Sequence, residues 1–348
     1  MFNISDILKK YKETKNKSQT QEQEKKENEA QRQSRAEDNI NISSFIGQEA
    51  ATVNNAKSKE IYDEALAKAK QIYRPDLEGA LNLNINSLIE KIVDSISRGN
   101  RDLLKICLMG YADAEDYLYY HVTNVCIIAV DLGLGLGFEP SRLNELGIAG
   151  FLHDIGEIKY LDIINKKSRL TKDEYNRVKE HPESGAEILN KFSKEINAKI
   201  IDAVQQEHER IDGSGYPRRL KNNEIAEYAQ IIGLADVYEA MLHQRPYRSK
   251  YTALEAIRTI LNNKNAFECK LIKVLIERIG IFPTGILVRL NTKETALVIK
   301  DNPKLPLRPV VNIIFDASGK KLNEPKQVDL SENPVICIED CLKESVCN

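Results

Sequence analysis

The spacing of apolar residues divides the chain into three parts. Between Lys12 and Asn39 the apolar residues are two alanines, so burial cannot offset the entropy lost on ordering this stretch. We therefore expect residues 1–57 to form a disordered or frayed polar tail. From Ile61 to about Ile281, apolar residues recur every three or four positions, which is the period of an amphipathic helix.

The helical part is predicted to contain two units. We expect N-terminal helices over residues 58–100 and a helical bundle over residues 101–281. Within the bundle, two Thr-x-x-Glu sequences have the spacing of an N-terminal capping box, in which side chain and backbone hydrogen-bond reciprocally. These sequences begin at Thr171 and Thr252.

The pattern changes after Phe282 to short runs rich in β-branched residues, separated by turn residues. The runs are 285–290, 296–299 and 310–315. We expect residues 282–348 to form a small β-rich C-terminal subdomain. The predicted fold class is therefore mainly α: a helical bundle, a β-rich subdomain and a polar N-terminal tail.

Composition narrows the classes of function. The 50 basic and 52 acidic residues leave a net charge of −2, so no overall field favours DNA or RNA as a partner. The longest apolar stretch, residues 125–138, is shorter than the about 20 residues that cross a bilayer. The N-terminus lacks a secretory signal pattern, and the six cysteines form no CxxC pair. We expect a cytoplasmic protein with reduced thiols and no transmembrane segment.

Histidines and carboxylates in the helical bundle are the candidate chemistry. Successive members stand about 30 residues apart, roughly one antiparallel helix pair, so their side chains can converge at one level of a bundle. Mixed imidazole and carboxylate ligands suit Fe, Mn, Zn or Ni better than Mg or Ca. The spaced positions are His121, His153, His181, His208 and Asp236, with Asp154 beside His153 and with Glu207 and Glu209 on either side of His208. His243 has no matching spacing, and we expect it to be a surface residue.

The adjacent pair His153 and Asp154 predicts a particular arrangement. A carboxylate has two oxygens, so Asp154 can face two ions while His153 faces one. Two ions about 4 Å apart recur in enzymes that hydrolyse phosphate esters.

Together these motifs resemble the HD-GYP subgroup of the HD metal-dependent phosphohydrolases, from about Asn84 to Ile281. The resemblance rests on the order of many short motifs rather than on a single dipeptide. The motifs are Asp116 to His121, Leu152-His-Asp-Ile-Gly156, His181-Pro182 with Gly185, His208-Glu209, Asp212-Gly-Ser-Gly-Tyr-Pro217, Ala235-Asp236 and Arg245-Pro-Tyr-Arg248.

The resemblance implies a bundle that holds two or three metal ions and hydrolyses cyclic di-GMP to linear pGpG or GMP. The metal-ligand positions of the family fall on His121, His153, Asp154, His181, His208 and Asp236. Glu207 replaces a histidine of the family pattern, and its carboxylate can still ligate a hard metal. Asp154 is the expected catalytic residue. Substrate-contact positions fall on Tyr216, whose ring suits stacking on guanine, and on Arg245 and Arg248, whose guanidinium groups suit phosphate.

Three positions depart from the family pattern. The lysine expected to hold the phosphate is Glu157 here, and Lys159 is the candidate that would replace its charge. The usual first histidine of His-His-Glu is Glu207. Tyr117 stands where members with three metals have a glutamate, so we expect two divalent ions, of Fe, Mn or another transition metal.

Two classes of function therefore stay open. The first is a phosphodiesterase acting on a cyclic dinucleotide, with another phosphoester as a variant substrate. The second is a catalytically weak or inactive signalling module that binds metal, nucleotide or protein partners. The sequence also leaves open a homodimer and protein signalling partners.

Overall fold

The computed structural model describes most of the chain after its N-terminal region. The described residues are 56–74, 84–108, 117–166, 168–192, 196–243, 251–282, 284–302 and 304–342. The predicted polar tail lies outside them except for residues 56 and 57, which are helical. Arg245 and Arg248 also lie outside the described residues.

Helices make up the described chain as far as Ile279. They are α1 (Ala56–Ile72), α2 (Asn86–Ser97), α3 (Asp102–Leu108), α4 (Tyr117–Gly135), α5 (Pro140–Leu152), α6 (Leu161–Ile164), α7 (Lys172–Val178), α8 (His181–Asn190), α9 (Ala198–Gln206), α10 (Glu227–Leu242), α11 (Ala253–Asn262) and α12 (Cys269–Ile279). Short 3₁₀ turns span Ile155–Tyr160, Asn222–Glu224 and Lys264–Ala266. The predicted capping boxes at Thr171 and Thr252 are both confirmed.

Helix α4 forms the centre of the bundle. It packs against α1, α5, α10 and α12. Of its most apolar 18-residue stretch, 78% is buried inside the fold. Its length and composition would allow it to cross a membrane, but burial on all sides is what the core helix of a bundle requires. Its one acidic residue in the buried stretch, Asp131, is contacted by the guanidinium groups of Arg101 and Arg278.

The C-terminal region is a five-stranded antiparallel sheet. Its strands are β1 (Leu287–Leu290), β2 (Thr295–Lys300), β3 (Val310–Phe315), β4 (Lys321–Asp329) and β5 (Ile338–Cys341), in the order β4-β3-β2-β1-β5. The three predicted runs correspond to β1, β2 and β3. The pattern missed β4 and β5, because β4 is an edge strand exposed over most of its length without apolar alternation and β5 has only four residues.

The fold class is therefore as predicted, mainly α with a small β-rich C-terminal subdomain. The five cysteines in the described residues are free thiols. The first helix begins at Ala56, two residues before the predicted start of order.

Candidate metal centre

Seven residues singled out in the sequence converge in the bundle, in two adjacent groups. Within each group the candidate ligand atoms lie within 4.8 Å of one another. The His121 group is His121, His153 and Asp236; the His181 group is Asp154, His181, Glu207 and His208.

Most of these side chains lie at helix ends. His153 and Asp154 directly follow α5, His181 begins α8, and Glu207 directly follows α9. Because the chain turns at each of these points, side chains from successive helices meet at one level. Only His121 on α4 and Asp236 on α10 project from within their helices.

Asp154 connects the two groups. Its Oδ2 lies 3.2 Å from His153 Nε2 and 3.4 Å from His121 Nε2. Its Oδ1 lies 3.4 Å from Nε2 of His181. One carboxylate therefore faces both groups through different oxygens, as the sequence led us to expect of a bridging ligand.

Backbone carbonyls orient two of the imidazoles. Nδ1 of His153 hydrogen-bonds to the Gly150 carbonyl at 2.8 Å, and Nδ1 of His181 to the Val178 carbonyl at 2.8 Å. Each ring thereby turns Nε2 toward the cluster, the arrangement typical of histidine ligands.

Two further features of the cluster fit cation binding. The Nε2 atoms of His181 and His208 face each other at 3.1 Å. Glu207 Oε2 is buried with no hydrogen-bond partner among the described residues. A donor set of this kind fits transition-metal ions.

The pKa values of the imidazoles in the cluster are also consistent with a cation site. Burial opposes charge on His153, but the Asp154 carboxylate outweighs it and raises the pKa of His153 to about 9. Burial likewise disfavours the imidazolium of His181, but the hydrogen bond to Glu207 raises its pKa to about 10. Without cations the cluster thus holds protons between ionised carboxylates, and metal binding would displace those protons.

Gly156 allows the two groups to approach. A Cβ at this position would lie 2.0 Å from the His181 carbonyl oxygen and 2.6 Å from the Gly185 backbone nitrogen. Only glycine therefore lets the 3₁₀ turn after Asp154 pack directly on the start of α8.

The loop after α9 is held against the centre by Glu209. Its buried carboxylate accepts hydrogen bonds from the backbone N–H groups of Arg218, at 2.7 Å, and Leu220, at 2.9 Å. Glu209 therefore orders the loop that carries Tyr216. The Tyr216 ring stacks on His208 with 4.5 Å between ring centroids, and the ammonium of Lys179 lies 4.3 Å from the Tyr216 centroid.

Sequence reasoning missed the residues behind His121. The buried Glu239 carboxylate contacts His121 Nδ1 at 2.5 Å and accepts a hydrogen bond from the Asn124 amide at 2.9 Å. His243 was predicted to be a surface residue, and that prediction is wrong. Its side chain is 2% exposed, with Nδ1 2.8 Å from Glu239 Oε1. A signal was present: Asp236 and Glu239 on α10, and His243 directly after it, are spaced three and four residues apart, which is the spacing of one helix face.

The remaining predicted residues lie at the edge of the site. Lys159 is exposed, and its ammonium pairs with Glu187 at 3.0 Å. Glu157 is half-buried and close enough to His181 to raise the pKa of that imidazole. The Tyr117 ring stacks on His121 with 5.4 Å between centroids.

The fold and this cluster define a metal-binding helical domain, and comparison with known families specifies which one. Residues 108–270 match the HD domain, and residues 287–347 match the KOW domain associated with HD domain. The α1 and α2 helices lie outside both matches.

Two curated relatives support the assignment. The chain is 33% identical over 246 residues to Cyclic di-GMP phosphodiesterase PA4108 of Pseudomonas aeruginosa, covering 70% of this chain and 59% of that protein. It is 41% identical over 181 residues to Cyclic di-GMP phosphodiesterase response regulator RpfG of Xanthomonas campestris, covering 51% of this chain and 45% of that protein. The chain thus spans less than two thirds of either relative.

A solved structure shows the same fold. Bd1817, an HDG"Y"P protein from Bdellovibrio bacteriovorus, superposes with a TM-score of 0.53 at 18% identity, covering 64% of this chain and 72% of that one. The HD-domain match and these relatives support placement of the chain in the HD-GYP subgroup of the HD metal-dependent phosphohydrolases.

Proposed function

We propose that this protein is a cytoplasmic, metal-dependent phosphodiesterase that hydrolyses cyclic di-GMP to linear pGpG or GMP. The observation that carries the proposal is the convergence of the His121 and His181 groups on the two oxygens of Asp154. The two curated relatives, both described as cyclic di-GMP phosphodiesterases, support the choice of substrate.

The centre would hold two divalent ions, of Fe, Mn or another transition metal, one at each group. When bound, such ions supply Lewis-acid stabilisation of phosphoryl charge and activate water. The chain's own contribution is orientation. Backbone carbonyls aim His153 and His181, Glu239 aims His121, and burial of the cluster strengthens its electrostatic interactions.

Substrate contact is assigned to Tyr216, Arg245 and Arg248, with Lys159 as the fourth candidate. Tyr216 supports this assignment by its position, because its ring lies against the ligand candidate His208. For Lys159 to reach a phosphate it must leave Glu187, and an exposed pair of this kind is worth at most about 1 kcal/mol.

The test is hydrolysis of cyclic di-GMP by protein purified anaerobically with Mn or Fe, with products resolved by chromatography. We expect linear product from the wild type and none from Asp154→Ala. Cyclic GMP-AMP and cyclic di-AMP assayed alongside would reveal a different substrate. Absence of product from all three, despite bound metal, would contradict the proposal.

A second function is favoured by Glu157, namely a metal- or nucleotide-binding signalling module with little turnover. A carboxylate near His181 repels phosphate where the family pattern has a lysine. If this applies, Glu157→Lys should raise the hydrolysis rate, and Glu157→Gln should raise it less. A Glu157→Lys variant no faster than wild type would count against it.

A further inference from the structure

A chain of buried hydrogen bonds runs from α1 to the metal centre. The Tyr62 hydroxyl donates to Asn124 Oδ1 at 2.7 Å, and Asn124 Nδ2 donates to Glu239 Oε1 at 2.9 Å. Glu239 Oε2 then lies 2.5 Å from His121 Nδ1. Each of the four side chains is at most 6% exposed, so water does not compete for these bonds.

The chemistry of the chain gives each bond a direction. Glu239, as a carboxylate, accepts at both oxygens, so His121 must carry its proton on Nδ1. Nε2 of His121 is then the nitrogen available to a metal ion, and it lies 3.4 Å from Asp154 and 3.3 Å from Asp236. Because the Glu239 carboxylate only accepts, Asn124 must present its NH₂ group to it, and Asn124 Oδ1 is left to accept from the Tyr62 hydroxyl.

The same region makes a second contact, with the helix that leads into the centre. Tyr73, which directly follows α1, donates its hydroxyl to the Phe151 carbonyl at 2.8 Å. Phe151 lies in the last turn of α5, two residues before His153. Two buried tyrosines from a region outside the HD-domain match thus reach the segments that carry His121 and His153.

We propose that Tyr62 is a positioning residue for the metal ligand His121, acting through Asn124 and Glu239. It follows that α1 is part of the metal centre, although the HD-domain match begins only at residue 108. The proposal rests on the proposed function in one respect, that the cluster binds divalent ions. It does not depend on which phosphoester is hydrolysed.

Because His243 Nδ1 also contacts Glu239 Oε1 at 2.8 Å, the loss of Tyr62's hydroxyl should loosen Glu239 without releasing it. Outer partners of metal-bound histidines typically contribute about 10- to 100-fold in affinity. We therefore expect Glu239→Gln to weaken metal binding by about 10- to 100-fold. Tyr62→Phe, two bonds further away, should weaken it by about 3- to 10-fold.

The experiment measures Mn²⁺ affinity of the full chain by titration calorimetry, with metal content confirmed by elemental analysis. The variants are Tyr62→Phe, Glu239→Gln and the double variant. Tyr228→Phe is the matched control, since it also removes the hydroxyl of a buried tyrosine that donates to a carboxylate, that of the partly buried Glu145, at 2.8 Å. Should Tyr62→Phe fail to fold, Asn124→Ala breaks the same chain one residue nearer His121.

The expected result is weaker binding in Tyr62→Phe, unchanged binding in Tyr228→Phe, and a double variant no weaker than Glu239→Gln alone. Such non-additivity means that Tyr62 acts through Glu239. The proposal would be overturned if Tyr62→Phe bound Mn²⁺ with wild-type affinity, or if Tyr228→Phe lost as much affinity as Tyr62→Phe. It would also be overturned if the fold-losses of Tyr62→Phe and Glu239→Gln multiplied in the double variant. A wild type that binds Mn²⁺ without hydrolysing cyclic di-GMP would contradict the proposed function and leave this inference intact.

Discussion

The two groups of the metal centre are supported in different ways. In the His121 group, His121 is 1% exposed and its outer nitrogen contacts the buried carboxylate of Glu239. In the His181 group, the His208 side chain is 16% exposed, and a stacked Tyr216 ring lies against it. The His121 group is thus backed by a buried carboxylate, whereas the His181 group, although its other members are buried, includes one partly exposed ligand candidate under a loop.

This difference suggests a division of tasks within the centre. A ligand fixed by buried hydrogen bonds loses little entropy on binding a metal, so the His121 group should bind its ion more tightly. A partly exposed ligand under an aromatic ring is better placed to meet substrate. Asp154 belongs to both environments, because each of its oxygens faces one group.

The largest expected effect comes from removing the residue that the two groups share. Asp154→Ala should weaken metal binding at both groups by more than about 100-fold, beyond the loss typical of an outer-shell partner. Metal content after gel filtration measures it, with the exposed Asp202→Ala as control. Unchanged metal content in Asp154→Ala would refute the assignment of the centre.

Next in size is the difference in stability between His121→Ala and His208→Ala in metal-free protein. The first leaves the buried Glu239 carboxylate without its main partner, and breaking a buried charged pair costs about 3–5 kcal/mol. The second should cost about 1–2 kcal/mol, since Glu207 keeps its contact with His181. Urea denaturation measures both, and equal losses would contradict the comparison.

A smaller effect should follow from changing the spacing between the groups. Gly156→Ala places a Cβ 2.0 Å from the His181 carbonyl oxygen, so one segment must shift, at about 1–3 kcal/mol. We expect weaker metal binding as well. Gly319→Ala is the control: it has open space and a φ of +85°, so it strains the backbone far from the centre. Equal metal affinity in the two variants would show that spacing at Gly156 is unimportant.

The smallest expected effect concerns the ring over His208. Tyr216→Leu removes an aromatic stack worth about 0.5–1.5 kcal/mol, so affinity at the His181 group should fall by no more than about tenfold. Tyr216→Phe, which keeps the ring, should bind metal like the wild type. If Tyr216→Leu instead weakened metal binding at the His121 group, the statement that this ring supports the His181 group would be contradicted.

The periodic pattern of the sequence predicted the helices well because burial of a stripe every three or four residues is a local property. Ile61, Ala65, Ala69 and Ile72 are all buried on α1, as their spacing indicates. Strand β4 was missed for the complementary reason. Its partner is β3, and only that pairing makes so polar a segment a strand.

The ligand candidates were found because each is a histidine or a carboxylate at a recurrent interval along the helices. Tyr62 and Asn124 carry no such signal, since a tyrosine on an amphipathic helix is ordinarily a core residue. Their role depends on which helices pack together, and local pattern does not specify that. His243 differs, because its contact with Glu239 four residues earlier is local, and the helical spacing of the two residues carried that signal.

The sequence by itself determined the class of the fold, the residue types of the metal centre and the family resemblance. It could do so because helical period and motif order are properties of the linear sequence. The tertiary structure decided which oxygen of Asp154 faces which group, that Glu209 orders a loop, and that Tyr62 of α1 hydrogen-bonds to Asn124 on α4. These facts depend on distances between segments far apart in the chain, and the free energy of packing the whole core sets those distances.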